Sequence, residues 1–121
     1  MFTRKELKRL TPYIREELRL AEAARGEPEK RFHHLEQAHV LGQYSTFWHV
    51  YVHLLMGMWA IEHHAFRELI GQVMRVIGAW TKTPFGLLPK GNTGGANISP
   101  FKRLPWSKTH EAIFAAVKNE T

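Results

Sequence analysis

A chain of 121 residues has the usual length of one domain and can bury a core without staples. Its hydrophobic fraction of 44% argues against disorder, and a complete lack of cysteine excludes disulfide frameworks, thiolate metal sites and cysteine nucleophiles. The formal net charge of +6 is placed unevenly: no acidic residue lies between Glu68 and Glu111, where Arg75, Lys82, Lys90, Lys102, Arg103 and Lys108 all fall.

The opening MFTRKELKRL is charged and amphipathic with no apolar run, so a secretory signal is not expected. Thr3 stands three residues before Glu6, the spacing of a capping box. Leu7, Leu10, Ile14, Leu18 and Ala21 recur every three or four residues, an apolar stripe on one helix over about 3–25. Pro12 interrupts it and suggests a second helix start at Thr11 with Pro12 in first position. Gly26 closes this helix and Pro28 lies just inside the next.

The second helix is expected over about 29–41, a turn at Gly42-Gln43-Tyr44-Ser45 follows, and Ser45 or Thr46 can cap a third helix over 46–62. That third helix is apolar nearly all round, as an element covered on several sides would be. Its uncharged stretch, Val40 to Ile61, contains His49, His53 and two glycines, and its apolar part falls short of the roughly 20 residues a bilayer requires. A cytoplasmic protein without a transmembrane segment is the expectation. In a fourth helix over 65–81, Phe66, Leu69, Ile70, Val73, Ile77 and Trp80 read as the buried stripe, with Arg67, Glu68 and Arg75 outward.

The segment 83–106, TPFGLLPKGNTGGANISPFKRLPW, has no helical period and reads as a long ordered arm rich in glycine and proline. Phe85, Leu87, Leu88, Ile98, Phe101, Leu104 and Trp106 would pack it along the helices. Ser107 can cap a short last helix over 107–118. The whole is a single all-α domain, 1–121: two packed helical hairpins, somewhat like tetratricopeptide pairs, an arm and a terminal helix.

Chemistry concentrates between Phe32 and His64, which holds all but one of the eight histidines. Glu36 and His39 are three apart and His49 and His53 four apart, so each pair projects from one helical face. Folding the chain back at Tyr44 sets His39 level with His49 and Glu36 level with His53. Three imidazoles and a carboxylate suit zinc, iron, nickel or copper with a position open to water. The alternative reading is packing histidines that donate to carbonyls or to Glu36. Two histidines on a nearly apolar helix need partners, since burying them alone is costly.

His63 and His64 form a weaker group with Glu62 and Glu68, read as a surface pair; His33, His34 and His110 read as exposed. Met56 and Met58 read as core filler rather than ligands. Lys90-Gly91-Asn92-Thr93-Gly94-Gly95-Ala96-Asn97 can form an ordered turn over the hairpin, or a lid that brings Asn92, Thr93 or Asn97 to the histidines as a small-molecule or cofactor contact. A nucleotide P-loop is excluded because no Gly-Lys-Ser/Thr follows, and no serine elbow is present.

HLEQAHVLGQ at 34–43, with His49 and His53 beyond it, and TPFGLLPKGNTGGANISPF at 83–101 together resemble the small bacterial proteins grouped as domain of unknown function 3703. The resemblance runs from about Phe32 to Pro105. It brings no activity with it, but implies that Glu36, His39, His49, His53 and the stretch 91–97 belong to one shared pattern.

Two functional readings follow. One is a metal-binding helical protein built on Glu36, His39, His49 and His53, with an ion or a small molecule as partner. The other is a non-enzymatic interaction module, a homodimer or a scaffold whose basic arm meets an anionic partner. Nucleic acid is not the expected partner, because no recognition motif or interleaved exposed aromatics accompany the charge.

Overall fold

Side chains cap the first amides of the first, third and fifth helices, whereas the second opens on a proline and the fourth has no side-chain cap. The computed structural model describes residues 2–83, 90, 92–94 and 103–119. In α1 (Arg4–Ala23) Thr3 Oγ1 accepts from the Glu6 amide at 3.2 Å, while Glu6 Oε1 accepts from the Thr3 amide at 2.8 Å. Pro28 opens α2 (Pro28–Gly42), and Ser45 Oγ accepts from the Trp48 amide to start α3 (Thr46–Glu62). α4 (Phe66–Lys82) follows a turn in which His64 has φ +53°. Ser107 Oγ accepts from the His110 amide at 3.1 Å at the head of α5 (Lys108–Asn119).

α1 does not restart at Thr11; it runs unbroken through Pro12. The reason lies in phase. Leu10 and Ile14, flanking the proline, are 1% and 0% exposed, and only a continuous helix keeps both on the buried stripe. Pro12 itself faces solvent, so its ring loses no packing there. Its missing donor and its clash with the carbonyl four residues back still cost up to about 3 kcal/mol in a helix interior. Pro12→Ala should therefore raise stability by about 2 kcal/mol after allowing for the freer unfolded chain, seen as a higher midpoint in a thermal melt followed by circular dichroism.

The five helices form two antiparallel hairpins: α1 packs on α2, α3 packs on α4, α2 lies across α3, and α5 rests on α1. Leu10, Ile14, Leu35, Ala38, Leu41, Val52, Met56, Phe114 and Val117 make the common core. Trp106 lies against Phe114, ring centroids 4.3 Å apart, where the arm rejoins the bundle. Polar ties also cross between helices. His34 Nδ1 meets Glu17 Oε2 at 2.8 Å, and buried Arg31 donates to Glu62 Oε2 at 2.8 Å. His110 is likewise buried, not exposed. No helix among the described residues is long and apolar enough to cross a membrane.

The largest departure from expectation concerns α3 and α4. Phe66, Ile70, Val73, Ile77 and Trp80, read as buried, face outward at 53–69% exposure, and α3 leaves Phe47, Leu54, Met58 and Ile61 exposed as well. The face of α4 that packs on α3 instead carries Leu69, Gln72, Val76 and Ala79. Gly57 lies at this contact, where a Cβ would stand 3.9 Å from both Gln72 and Leu69, an ordinary packing distance. Arg75 consequently turns half inward. Most of the expected arm, residues 84–89, 91 and 95–102, lies outside the described residues, and with it Asn97.

Candidate metal centre

His39 comes from α2, and His49 and His53 from successive turns of α3; the tight turn at 43–45 brings the two helices back to back. All three are buried, at 2%, 8% and 2% exposure. Their rings form a nearly equilateral set, with centroids 4.9 Å apart for His39–His49, 4.7 Å for His39–His53 and 4.9 Å for His49–His53. One ring nitrogen from each lies within 4.8 Å of the other two, a group that could hold a metal ion.

Each Nδ1 is engaged by a group outside the trio. His39 Nδ1 donates to the Asn92 carbonyl at 2.7 Å. His53 Nδ1 meets Gln72 Oε1. The orientation of that amide follows from its other end, where Gln72 Nε2 donates to Glu68 Oε1 at 3.0 Å and to the Gly94 carbonyl at 2.8 Å. Both of those partners only accept, so Oε1 must face His53 and His53 Nδ1 must be the donor. His49 Nδ1 lies 2.7 Å from the Thr83 hydroxyl, which can take the same acceptor role. Nε2 is the nitrogen left on each ring for an ion.

The electrostatics keep these rings neutral. Burial, then the neighbouring imidazoles, lowers His39 well below the ordinary histidine value. Burial, then His53, takes His49 down to about 3. Burial lowers His53 to about 4 against the opposing Gln72 hydrogen bond, with Arg75 adding to the depression. A neutral imidazole is the form that ligates.

The family model described as "Protein of unknown function (DUF3703)" matches residues 8–114, most of the chain. The chain belongs to that family. No curated protein and no solved structure was found to match it. In this DUF3703 protein the geometry of the residues themselves carries the functional reading.

His39, His49 and His53 meet as expected. Glu36 is not one of the group. It stands one turn before His39 on α2, half-buried, with its carboxylate hydrogen-bonded by Thr93; burial raises its pKa. Of the arm residues proposed to approach the histidines, Asn92 does so through its backbone carbonyl, while its side-chain Oδ1 accepts from the Gly94 amide at 2.9 Å. Thr93 serves Glu36 instead. Gly94 presses on the site more closely than any side chain could: it has φ +83°, and a Cβ there would fall 2.6 Å from the His39 ring.

Gln72 and Thr83 were missed by sequence reasoning, because α4 was read with its opposite face inward. The available signal was a second row on that helix, Leu69, Gln72, Val76, Ala79 and Thr83, with the same spacing as the apolar stripe and two polar members. Among the other histidines, His63 Nδ1 hydrogen-bonds the Trp59 carbonyl at 2.8 Å, and His64 sits in the turn, so its spacing to Glu68 is not a helical pair. Met56 is core and Met58 is exposed.

Proposed function

We propose that this protein binds one divalent first-row transition-metal ion, zinc, iron, nickel or copper, through Nε2 of His39, His49 and His53. The observation that carries the reading is the outward hydrogen bond on every Nδ1: metal-bound imidazoles are held in this way, by a carbonyl or other acceptor that fixes the tautomer and aims the ring. An ion 2.0–2.1 Å from each nitrogen needs the three about 3.4 Å apart in a tetrahedral shell; small ring rotations supply that contraction. Gln72, Thr83 and Asn92 act as positioning residues, and Glu36 stays outside the ligand set.

Three neutral donors leave the ion's full charge in place and one coordination position for water. Were zinc held there, it would supply the chemistry of lowering the pKa of a bound water toward about 7. The acids near the trio are Glu36, hydrogen-bonded by Thr93, and Glu68, which accepts from Gln72 Nε2. Less supports the alternative of a basic arm meeting an anionic partner. Lys90 is engaged over the Trp106 ring at 4.5 Å, and Arg75 turns toward the histidines.

Elemental analysis of protein purified without a histidine tag tests the proposal. The expected result is one ion per chain, falling to less than about a tenth in His49→Ala/His53→Ala. Saturating metal at a hundred times its Kd should also stabilise the wild type by about 2.7 kcal/mol and the variant not at all. No ion in the wild type, with a melting temperature indifferent to metal and chelator, would rule the site out.

A further inference from the structure

The hairpin of α3 and α4 carries two apolar rows that its own core does not use. Phe47, Tyr51, Leu54, Met58 and Ile61 on α3 step by four, three, four and three residues; Phe66, Ile70, Val73, Ile77 and Trp80 on α4 do the same. All ten are exposed, from 41% at Tyr51 to 69% at Trp80, and Met74 beside the second row is 66% exposed. Strict alternation of fours and threes is the seam of helices that pack lengthwise against other helices.

Both rows face the same way. His53 and Gln72, which hydrogen-bond across the hairpin, mark the side on which each helix meets the other. Leu54 and Val73 each come one residue later, about 100° further round the helix. Since α3 and α4 run antiparallel, equal rotations from facing positions turn the two rows to one common side. On α3 that side is opposite Val52 and Met56, which are buried toward α2. The result is a two-helix face with no charged residue in either row.

Size decides what could cover it. Taking roughly 200 Å² for a large apolar side chain, the eleven exposed residues offer on the order of 1,000 Å². The largest apolar patch of a typical monomer is about 300–600 Å², and a stable interface takes about 800 Å² from each partner. A lipid surface would impose no heptad spacing. A second hairpin of the same kind would, and a face made of two antiparallel seams is complementary to its own two-fold copy.

We propose that the α3–α4 hairpins of two copies of this chain pack face to face into a two-fold symmetric four-helix bundle. The histidines lie on the inner side of each hairpin, so the dimer forms with or without metal.

Sedimentation of the full chain, with metal and with chelator, tests this. The expected result is twice the 14.1 kDa chain mass at about 100 μM. Ile70→Glu/Ile77→Glu should raise the dimer Kd about a hundredfold or more while keeping the helical circular dichroism, because both side chains are exposed in the single chain. Leu54→Glu/Met58→Glu, on the other helix, should do the same and decides the matter if the first variant loses helicity. A wild type that stays monomeric overturns the proposal, as does a dimer that both variants leave intact. So does a monomer that instead floats with vesicles of equal parts phosphatidylcholine and phosphatidylserine. None of these results bears on metal binding.

Discussion

Gly94→Ala is expected to destabilise the protein by about 2–4 kcal/mol and to weaken metal binding by about a hundredfold or more. Two costs combine. The backbone at Gly94 has φ +83°, a conformation that an L side chain adopts only at about 1–2 kcal/mol. The added methyl would also stand 2.6, 2.7 and 2.9 Å from three atoms of the His39 ring. His39 has nowhere to retreat: its Nδ1 is fixed by the Asn92 carbonyl and its other faces meet His49 and His53. Relief must come from moving either the segment 92–94 or the ring. Either movement breaks the hydrogen bond that aims Nε2. Gly78→Ala supplies the contrast, since nothing lies within 4 Å of its Cβ and the site is inside a helix. It should be neutral or stabilising by up to about 1 kcal/mol. Melting curves in chelator report the first effect and competition titration with a coloured chelator the second. Equal melting temperatures for Gly94→Ala and wild type would show that the glycine does not abut His39.

How far the sequence could be read depended on whether a feature was local. The capping box at Thr3 and Glu6, the turn after Gly42 and the cap at Ser107 need only neighbours in the chain, and each stands where expected. The meeting of His39 with His49 and His53 was legible for a related reason. A short turn fixes the register of the two helices it joins, so residues equally distant from Tyr44 come level. The same logic does not bring Glu36 into the group: its carboxylate is hydrogen-bonded by Thr93, a contact from the distant arm that the register of α2 and α3 does not reveal. The orientation of α4 was not legible. Period 3.6 identifies an apolar face without saying what covers it, and on α4 two rows of equal spacing compete. Leu69, Gln72, Val76, Ala79 and Thr83 win the inside since His53 and His49 need Gln72 and Thr83 as acceptors. A polar requirement of the site thus turned the more hydrophobic row outward. That is also why Arg75 faces inward against expectation.

The same three neutral rings make the metal-free protein sensitive to acid. In the unfolded chain each histidine takes a proton near pH 6.5. In the folded protein His49 does so only at about 3 and His53 at about 4, with His39 also well below 6.5. Below pH 6.5 the unfolded state therefore binds up to three more protons at these positions, and stability must fall as pH falls. The stabilisation is fully present above about 6.5 and is lost progressively as pH drops through 6.5 toward 4 and 3. Each ring contributes a slope of about 1.4 kcal/mol per pH unit, and the three together about 4 kcal/mol per unit. Buried His110, also lowered, adds to the same direction. Glu36 opposes it, since a carboxyl whose pKa is raised by burial favours the fold at low pH, but it is one group against four. The carboxylates of Glu6, Glu16 and Glu22 are lowered by their hydrogen bonds, so they too favour the fold above the ordinary carboxylate range and add to the loss only as pH falls into it. For a total stability of about 5–10 kcal/mol, that slope should unfold the chelated protein between about pH 5 and 4. Urea denaturation at half-unit steps from pH 7.5 to 4.5 measures the slope, and His49→Gln/His53→Gln should reduce it by about half. A profile flat from pH 7 to 5 would mean that the rings take up protons inside the fold. Rings that do so are not held as the buried neutral donors on which metal binding depends.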